Sequence, residues 1–567
     1  MLFFTFLFAA MSVQTSWVSP ASPQSVSIDG NPKGARVELV ENAGGTDVLI
    51  SSPSPLTFVR IRYRADFTPT AKVFGGDWER TYGKTAWTDI GRTGTLPWYF
   101  LVNEGDVTRA LGVKTQPNVF AAWKVSRNAV ELVLDCRAGS DPVLLGDRML
   151  KACTIVARDG VRGERPFAAA REFCRMMCDA PRRLKCPVYG YNDWYCAYGR
   201  NSAKEFLEDA KAVLSLADGL SNRPFAVADD GWQDAGGWRG ENERWAMPMD
   251  RFAARLKAMD IRPGLWYRPL RAWDELSAEQ KLTANAKYLD PTVPAVKSRI
   301  AEDMRRFRDW GFKLVKIDFL SFDISQLWPC DPHPHHDRYI QDDRAWCDDS
   351  RTTAEVMRDL YVTMKDAAGD DVVIIGCNAL NHLAAGVFEL QRTGNDTSGK
   401  NWAWTKNHGV NTLAMRSIQD GAFFKIDADC VGLASEGAVP WALNRQWMEL
   451  LGRSGTPFFV SWSRALMNDD VRKSLREAFK AASEPRPTAE AYDWQTTPVP
   501  RRWSVGTFDW DGEEASGGTA KVKEASLSAE GEFAWNGMFS DHMVLQRDKP
   551  VRVWGTARPA AEGVCPR

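Results

Sequence analysis

A charged pair near the end of an apolar strand is the first feature of this sequence that could do chemistry. Residues 312–320 read Phe-Lys-Leu-Val-Lys-Ile-Asp-Phe-Leu. Because successive strand side chains point to opposite faces, Lys316 and Asp318 share a face, roughly 6–7 Å apart at about 3.3 Å per residue. A neighbouring cation offsets the cost of burying a carboxylate and keeps it ionised. The pair therefore predicts either an ionised nucleophile, as a glycosidase requires, or a structural ion pair at a sheet end.

Polar or aromatic residues also follow most of the other predicted strands. At one strand end such a residue can be accidental, but at most of them it indicates a site for a polar ligand. The runs are Asn192-Asp193-Trp194, Asp229-Asp230-Gly231-Trp232, Gly264-Leu265-Trp266-Tyr267, Cys377, Gln391-Arg392-Thr393-Gly394-Asn395-Asp396, and Asp427 with Asp429.

Strands and helices alternate over residues 185–465 and would position these residues. Eight β/α units in about 280 residues favour a (β/α)8 TIM barrel, whose active site lies at the carboxyl ends of the strands. A doubly wound sheet is the second possibility, but no glycine-rich phosphate turn follows the first strand. The predicted strands are Val188–Asp193, Pro224–Asp229, Arg262–Tyr267, Lys313–Asp318, Val372–Cys377, Val387–Gln391, Ala422–Ile426 and Pro457–Trp462, with helices such as Ala203–Leu216, Ala295–Trp310 and Thr352–Ala368 between them.

The pattern before the predicted barrel is different. Short alternating runs separated by Gly, Pro, Asn and Asp predict an antiparallel β-sandwich over residues 29–160. Residues 161–184 are predicted to be a helical connector, with a helix over Pro166–Asp179. The predicted sandwich strands include Ala35–Val40, Thr57–Arg64, Val119–Val125 and Ala129–Asp135.

Composition and charge restrict the partners and the compartment. The net charge of −1 leaves no basic stripe for nucleic acid, and 24 Trp offer flat faces that suit sugar rings as well as core packing. Eleven Cys are too few for a disulfide scaffold. Residues 1–28 lack charge and contain the apolar run Leu2–Met11, which predicts a leader peptide and a secreted or periplasmic protein. This run is too short to cross a membrane, and no other segment is long and apolar enough to do so.

Four motifs occur in the order, and at the strand ends, of one enzyme family. Together they resemble melibiase-type α-galactosidases and their raffinose-synthase-like relatives, over roughly residues 185–463. A motif in the predicted sandwich, residues 76–83, extends the resemblance. The barrel motifs are Asp-Asp-Gly-Trp (229–232), Gly-Leu-Trp (264–266), Lys-Ile-Asp (316–318) and Arg-x-x-x-Asp (392–396); the sandwich motif is Gly-Asp-Trp-Glu-Arg-Thr-Tyr-Gly.

The resemblance implies a role for each matching residue. Asp318 would be the nucleophile and Asp396 the general acid/base of a retaining exo-α-galactosidase. The substrate would be an α-galactoside oligosaccharide or glycan, with no cofactor and no metal. The implied sugar contacts are Asp229 and Asp230 with hydroxyls including O4 and O6, Lys316 and Cys377 in the pocket wall, Arg392 near O2, Trp266 against the ring, and Trp194.

The implied roles are chemically consistent. Two carboxylates about 5 Å apart can form and hydrolyse a covalent glycosyl-enzyme with net retention. Asp318, as the nucleophile, must stay ionised, while Asp396, as the acid, must hold a proton. The carboxylates of Asp229 and Asp230 can accept hydrogen bonds from sugar hydroxyls. Other interpretations stay open at three places: a turn cap for Asp229-Asp230, a salt bridge for Arg392, and simple packing for Cys377.

Two segments depart from the family pattern. Arg268, in Tyr267-Arg268-Pro269, stands where relatives often carry an acidic residue, and Asn378-Ala379-Leu380 replaces a glycine-rich stretch. The aglycone preference and the identity of the sugar therefore stay open. The run Cys330–His336 has potential metal ligands, but it lies in a proline-broken loop, and we predict no metal there.

The C-terminal residues bring a second, shorter resemblance. Trp503–Trp510 looks like the first strand of the antiparallel β domain that follows the barrel in such enzymes, so residues 466–512 are predicted to begin a truncated β segment. Residues 513–535 resemble a linker. Residues 536–567 resemble the N-terminal strands of sialate O-acetylesterases, without a nucleophilic serine motif, and imply no esterase activity.

Three functional classes follow from the sequence. The first is the retaining exo-α-galactosidase. The second is a raffinose-synthase-like transferase, which would use the same carboxylates but pass the galactosyl unit to a sugar. The third is a non-catalytic carbohydrate-binding barrel.

Overall fold

The structure is a computed structural model of the 567-residue chain. It describes residues 17–82, 85–234, 237–272, 287–325, 345–435, 437–511, 533–535 and 555–557. The chain divides into two compact units, Met1–Gly512 and Glu513–Arg567. None of the nine cysteines in the described ranges forms a disulfide.

The N-terminal part of the first unit forms two antiparallel sheets, consistent with the predicted β-sandwich. In chain order the strands are β1 (Ser25–Ile28), β2 (Arg36–Asn42), β3 (Gly45–Ser51), β4 (Phe58–Arg64), β5 (Lys72–Gly75), β6 (Thr88–Asp89), β7 (Leu96–Pro97), β8 (Tyr99–Glu104), β9 (Val107–Val113), β10 (Phe120–Ser126), β11 (Ala129–Asp135) and β12 (Leu150–Arg158). One sheet has the order β1-β4-β11-β10-β7 and the other β2-β3-β12-β9-β8-β5-β6. Strand β3 alternates between buried and half-buried residues, as a strand with one face on the core must.

A parallel sheet follows; eight of its nine strands overlap the predicted barrel strands, and the ninth, Cys430–Leu433, was not predicted. Its strands are β13 (Tyr189–Asn192), β14 (Phe225–Ala228), β17 (Arg262–Tyr267), β18 (Leu314–Ile317), β19 (Val373–Gly376), β20 (Leu390–Arg392), β21 (Lys425–Asp427), β22 (Cys430–Leu433) and β23 (Phe458–Trp462); β15 (Gln233–Asp234) and β16 (Gly237–Glu241) form a separate hairpin. The order is β21-β20-β19-β18-β17-β14-β13-β23-β22. The two outer strands, β21 and β22, are separated in the chain by Ala428 and Asp429 alone.

Of the eight predicted barrel strands, one has the predicted bounds, five differ by a single residue at one or both ends, and two differ by more. The sixth was predicted over Val387–Gln391, but β20 begins at Leu390 and includes Arg392. The seventh was predicted over Ala422–Ile426, whereas Ala422 lies in a turn and β21 begins at Lys425. The ends of these two strands could not be predicted accurately, because apolar residues continue beyond them. A short run of buried residues has no periodicity that marks where a strand ends.

The helices of the first unit occur mainly between the strands of the parallel sheet. Local signals explain several of their ends: Ser202 accepts a hydrogen bond from the Glu205 amide, and Thr352 forms a capping box with Glu355. The helices are α1 (Pro166–Met177), α2 (Trp194–Ala197), α3 (Ala203–Leu216), α4 (Met249–Ala258), α5 (Pro294–Asp309), α6 (Leu320–Ser325), α7 (Thr353–Ala368), α8 (Asn381–Ala384), α9 (Trp402–Thr405), α10 (Asn411–Arg416), α11 (Trp441–Arg453) and α12 (Asp469–Ser483), with a π-helical turn at Lys406–Val410. Within the described ranges, none of these helices has the length and apolar character needed to cross a bilayer.

The segment after the parallel sheet differs from its prediction. Residues 466–512 contain the 15-residue helix α12, which packs against α11. Its buried residues include Val471, Leu475 and Phe479, a helical spacing that the prediction of a β segment overlooked. The predicted strand Trp503–Trp510 is a short hairpin of β24 (Arg502–Trp503) and β25 (Gly506–Thr507).

The second unit is described at one antiparallel pair, β26 (Phe533–Trp535) with β27 (Gly555–Ala557). Most of the esterase-like stretch 536–567 and of the linker 513–535 lies outside the described residues, as do residues 1–16 of the predicted leader.

Candidate active site

A cavity of about 340 Å³ lies at the carboxyl ends of the parallel strands. Most of the site residues predicted from the sequence line it, although they come from five separate parts of the chain. Its lining consists of Arg80, Tyr82, Trp194, Asp229, Asp230, Trp266, Lys316, Asp318, Phe319, Asn395 and Asp396.

Asp318 follows strand β18 and is held by two N–H donors. The indole Nε1 of Trp266 donates to Oδ2 at 3.2 Å, and the backbone N–H of Phe319 donates to Oδ1 at 2.8 Å. Strands β17 and β18 are paired, with Trp266 opposite Lys316, which brings the indole beside the carboxylate. Trp266, which the resemblance implies to lie against the sugar ring, thus makes a direct hydrogen bond to Asp318.

Lys316 pairs with Asp229 rather than with Asp318. Its Nζ lies 2.7 Å from Asp229 Oδ2, and both side chains are buried. Burial lowers the pKa of Lys316, but Asp229 and the other nearby acidic groups together outweigh this, and the pKa lies well above its ordinary value. The sequence predicts that Lys316 supports the charge of Asp318 from the same strand face; in the structure its ion pair is with Asp229, and Asp318 is a nearby charge. The long side chain reaches past strand β17 to the end of β14.

Asp229 is the most strongly bound carboxylate of the site. Besides Lys316, the amide of Asn192 donates to its Oδ2 at 2.7 Å, and its own backbone N–H donates to Asp193 at 2.7 Å. Burial, and then the charge of Asp229, raise the pKa of Asp193 to about 7.

The turn after Asp230 requires a glycine at position 231. Its φ is +109°, and a Cβ there would lie 2.4 Å from the carbonyl oxygen of Gly199.

Asp230 has fewer partners than Asp229. The Gln233 amide donates to its Oδ1 at 2.7 Å. Burial, together with the nearby charges of Asp229 and Asp318, raises the pKa of Asp230 above its ordinary value. A ligand hydroxyl can therefore donate a hydrogen bond to the Asp230 carboxylate without displacing an ion pair.

Asp396 faces the mouth of the cavity, with 44% of its side chain exposed. Arg392 donates to its Oδ1 at 3.2 Å, and Arg80 approaches the same oxygen at 3.5 Å. Arg392 also pairs with buried Asp429 at 2.5 Å. The salt bridge considered for Arg392 is therefore present, together with its contact to Asp396.

Cys377 and Arg392 lie behind the cavity wall rather than on it. The Cys377 thiol is within 3.5 Å of both Arg392 and Arg80, and it is almost completely buried. Burial raises the pKa of this thiol, which keeps it protonated. Trp194, by contrast, lines the cavity as predicted.

Four lining residues were not predicted as site residues: Arg80, Tyr82, Phe319 and Asn395. Arg80 and Tyr82 belong to the sandwich motif of residues 76–83, so the motif was visible but had no role assigned. Thr81 attaches this segment to the end of β20, since its N–H donates to Thr393 O at 2.7 Å and its carbonyl accepts from Asn395 N at 3.1 Å.

Glu79 is a buried carboxyl beside this segment. Tyr82 donates to its Oε1 at 2.6 Å and Asn378 at 3.2 Å, while Oε2 has no hydrogen-bond partner among the described residues. Burial raises the pKa of Glu79 to about 7, although Arg80 works in the opposite direction.

The raised pKa of Glu79 predicts a pH-dependent stability. The folded protein holds the proton up to about pH 7, whereas the unfolded chain releases it near the ordinary value, so this contribution is full at low pH and is lost as pH rises from about 4.5 to 7. Compared with Glu79→Gln, the wild-type protein should lose up to about 3 kcal/mol over this window. Urea unfolding of both proteins from pH 4 to pH 8 measures the difference; a difference that does not change with pH would contradict a protonated Glu79.

The described residues contain no group of three or more His, Cys, Asp or Glu side chains arranged to hold a metal ion. The Cys330–His336 cluster lies outside the described residues.

Comparison with solved structures identifies several with the same overall fold. An α-galactosidase from Thermus thermophilus in complex with p-nitrophenyl α-D-galactopyranoside has a TM-score of 0.54 and 15% sequence identity, over 78% of this chain and 91% of that chain. The same enzyme in complex with stachyose has a TM-score of 0.54 at 16% identity, over 78% of this chain and 96% of that chain. A cycloalternan-degrading enzyme from Trueperella pyogenes in complex with isomaltose has a TM-score of 0.51 at 13% identity, over 83% of this chain and 78% of that chain.

No protein-family model matches the sequence, and no curated protein sequence matches it. The chain is therefore similar in fold to an α-galactosidase and to a cycloalternan-degrading enzyme, at sequence identities that show the fold alone.

Proposed function

We propose that the protein is a retaining exo-α-galactosidase that removes terminal α-linked galactose from oligosaccharides or glycoconjugates. The observation that carries the proposal is that Asp318 and Asp396 line one small cavity together with Asp229 and Asp230. At about 340 Å³ the cavity is near the lower end of the roughly 300–1,000 Å³ of small-molecule sites, which suits one terminal sugar ring.

In this proposal Asp318 is the nucleophile. Its carboxylate, oriented by Trp266 and Phe319, attacks the anomeric carbon as the bond to the leaving oxygen breaks. An ester joins the sugar to Asp318, and a water molecule then attacks the same carbon and releases the carboxylate. Two inversions give net retention.

Asp396 is the general acid and then the general base. It gives its proton to the leaving oxygen in the first step and takes one from the attacking water in the second. Arg80 and Arg392 both contact Oδ1, so in this mechanism Oδ2 is the oxygen that gives and takes the proton. The Asp396 side chain is partly exposed at the mouth of the cavity, and this supports an orientation in which the leaving group points to solvent, as exo cleavage requires.

The Asp229-Asp230 pair and Lys316 would recognise the sugar hydroxyls. The complexes named for the fold neighbours contain both α-galactosides and isomaltose, an α-glucoside, so O4 recognition is the point to test. A site built to hydrogen-bond a hydroxyl rejects a ligand that lacks it, because its own polar groups are left unpaired.

A panel of p-nitrophenyl α-glycosides that differ at O4 and C2 tests the substrate. We expect kcat/KM for the α-galactoside to exceed that for the α-glucoside on the order of 10³-fold. Asp230→Asn should reduce this ratio, because it replaces a carboxylate acceptor by an amide. Asp349→Asn, in the loop before α7, serves as a control with an unchanged ratio. Equal rates on both wild-type substrates would refute the galactose assignment.

The same assay separates the other two functional classes. A raffinose-synthase-like transferase would give new oligosaccharides when an acceptor sugar is added, and a carbohydrate-binding barrel would bind galactosides without turnover.

We further propose that the parallel sheet is a closed (β/α)8 barrel. Strands β21 and β22 form the two ends of the sheet and are consecutive in the chain, so together they would be one interrupted seventh strand that joins those ends.

We also propose export to a secreted or periplasmic location, on the basis of residues 1–28.

A further inference from the structure

The residue after the proposed nucleophile has an uncommon backbone conformation. Phe319 has φ +60°, in the left-handed region that bulky residues rarely occupy. This turn directs its N–H back to Oδ1 of Asp318, at 2.8 Å, and Asn378 accepts from the same N–H at 3.3 Å. One of the two donors that orient Asp318 therefore depends on a conformation that the residue itself disfavours.

Arg268 and Asp323 contact Phe319 on two sides. The guanidinium carbon of Arg268 lies 4.0 Å from the centre of the Phe319 ring. The backbone N–H of Asp323 donates to the Phe319 carbonyl at 2.7 Å. The ring and the carbonyl of Phe319 are thus each held by a different residue.

The two holding residues are also joined to each other. Arg268 makes a two-point ion pair with Asp323, at 3.0 Å from Nε to Oδ2 and 2.6 Å from Nη2 to Oδ1. The Asp323 side chain is fully buried, and 17% of the Arg268 side chain is exposed. Planar, two-point pairing fixes the guanidinium orientation, which a lysine ammonium cannot do.

We propose that Arg268 and Asp323 form a clamp that holds Phe319 in its left-handed conformation and thereby orients Asp318. Arg268 lies directly after β17 and Asp323 lies in α6, so the clamp joins two neighbouring strand ends. Both are positioning residues, because they act on Asp318 through Phe319. The kinetic consequence rests on the proposed glycosidase function, whereas the structural consequence does not.

The kinetic test compares Arg268→Met in two backgrounds. In the wild-type background we expect kcat for an aryl α-galactoside to fall about 10- to 100-fold with KM nearly unchanged, because the nucleophile is misplaced. In a Phe319→Gly background the same change should cost less than about threefold, because glycine adopts positive φ without help. Arg268→Lys should not restore activity. Equal losses in both backgrounds would show that Arg268 does not act through Phe319.

A matched control is Arg148→Met, which removes a similar two-point pair with Glu355 that lies outside the cavity lining. It should leave kcat unchanged, and circular dichroism should show that all variants are folded.

A crystal structure of Arg268→Met tests the clamp without reference to catalysis. We expect Phe319 to leave the left-handed region and its N–H to lose Asp318. If Phe319 keeps φ near +60° and the hydrogen bond persists, the clamp is overturned, even if the wild-type protein hydrolyses α-galactosides. An inactive wild-type protein whose Phe319 relaxes in the variant would instead refute the proposed function and support the clamp.

Discussion

Replacing Asp318 by alanine is expected to reduce kcat/KM for an aryl α-galactoside by about 10⁴-fold or more, while the protein stays folded. The side chain would supply the covalent bond of the first step, and hydrogen bonds from Trp266 and Phe319 orient it for attack. Steady-state kinetics, with circular dichroism to check folding, measure the effect.

A fluorinated galactosyl inactivator should label Asp318 in the intact wild-type protein. Peptide mass spectrometry locates the label, and Asp318→Ala serves as the control that stays unlabelled. Proton NMR during turnover should show α-galactose as the first product, as retention requires. Label on another carboxylate, or β-galactose as the initial product, would sink the assignment.

Asp396→Ala is expected to affect substrates according to their leaving groups. Natural oligosaccharides, whose alkoxide leaving groups need protonation, should lose about 10²- to 10⁴-fold in kcat/KM. An aryl galactoside with a good leaving group should lose much less in the first step. Comparison of raffinose with p-nitrophenyl α-galactoside measures this difference.

Azide provides the decisive control for Asp396. A small anion needs no general base, so it should accelerate turnover of the aryl substrate by Asp396→Ala and form a galactosyl azide. The wild-type enzyme should not respond. Equal losses on both substrates without an azide effect would assign Asp396 to binding rather than to proton transfer.

The sequence by itself determined the elements and most of the lining of the cavity. Strand and helix periodicity is a local property of the chain, and helix α3 has the predicted bounds, Ala203–Leu216. Parallel strands also place their carboxyl ends at one edge. For this reason the sequence alone predicts that Asp229, Asp318 and Asp396 lie close together at the carboxyl ends of the strands, and all three line the cavity.

Only the tertiary structure decided which side chains pair within the site. Lys316 shares a strand face with Asp318, but its ammonium binds Asp229 from a strand that is not its neighbour. Arg80 reaches Asp396 across 316 positions of sequence, because Thr81 docks on the end of β20. The left-handed turn at Phe319 depends on Arg268 and Asp323 from separate elements. Periodicity describes the direction of a side chain from its own backbone, whereas partner choice depends on the distances between segments that only packing sets.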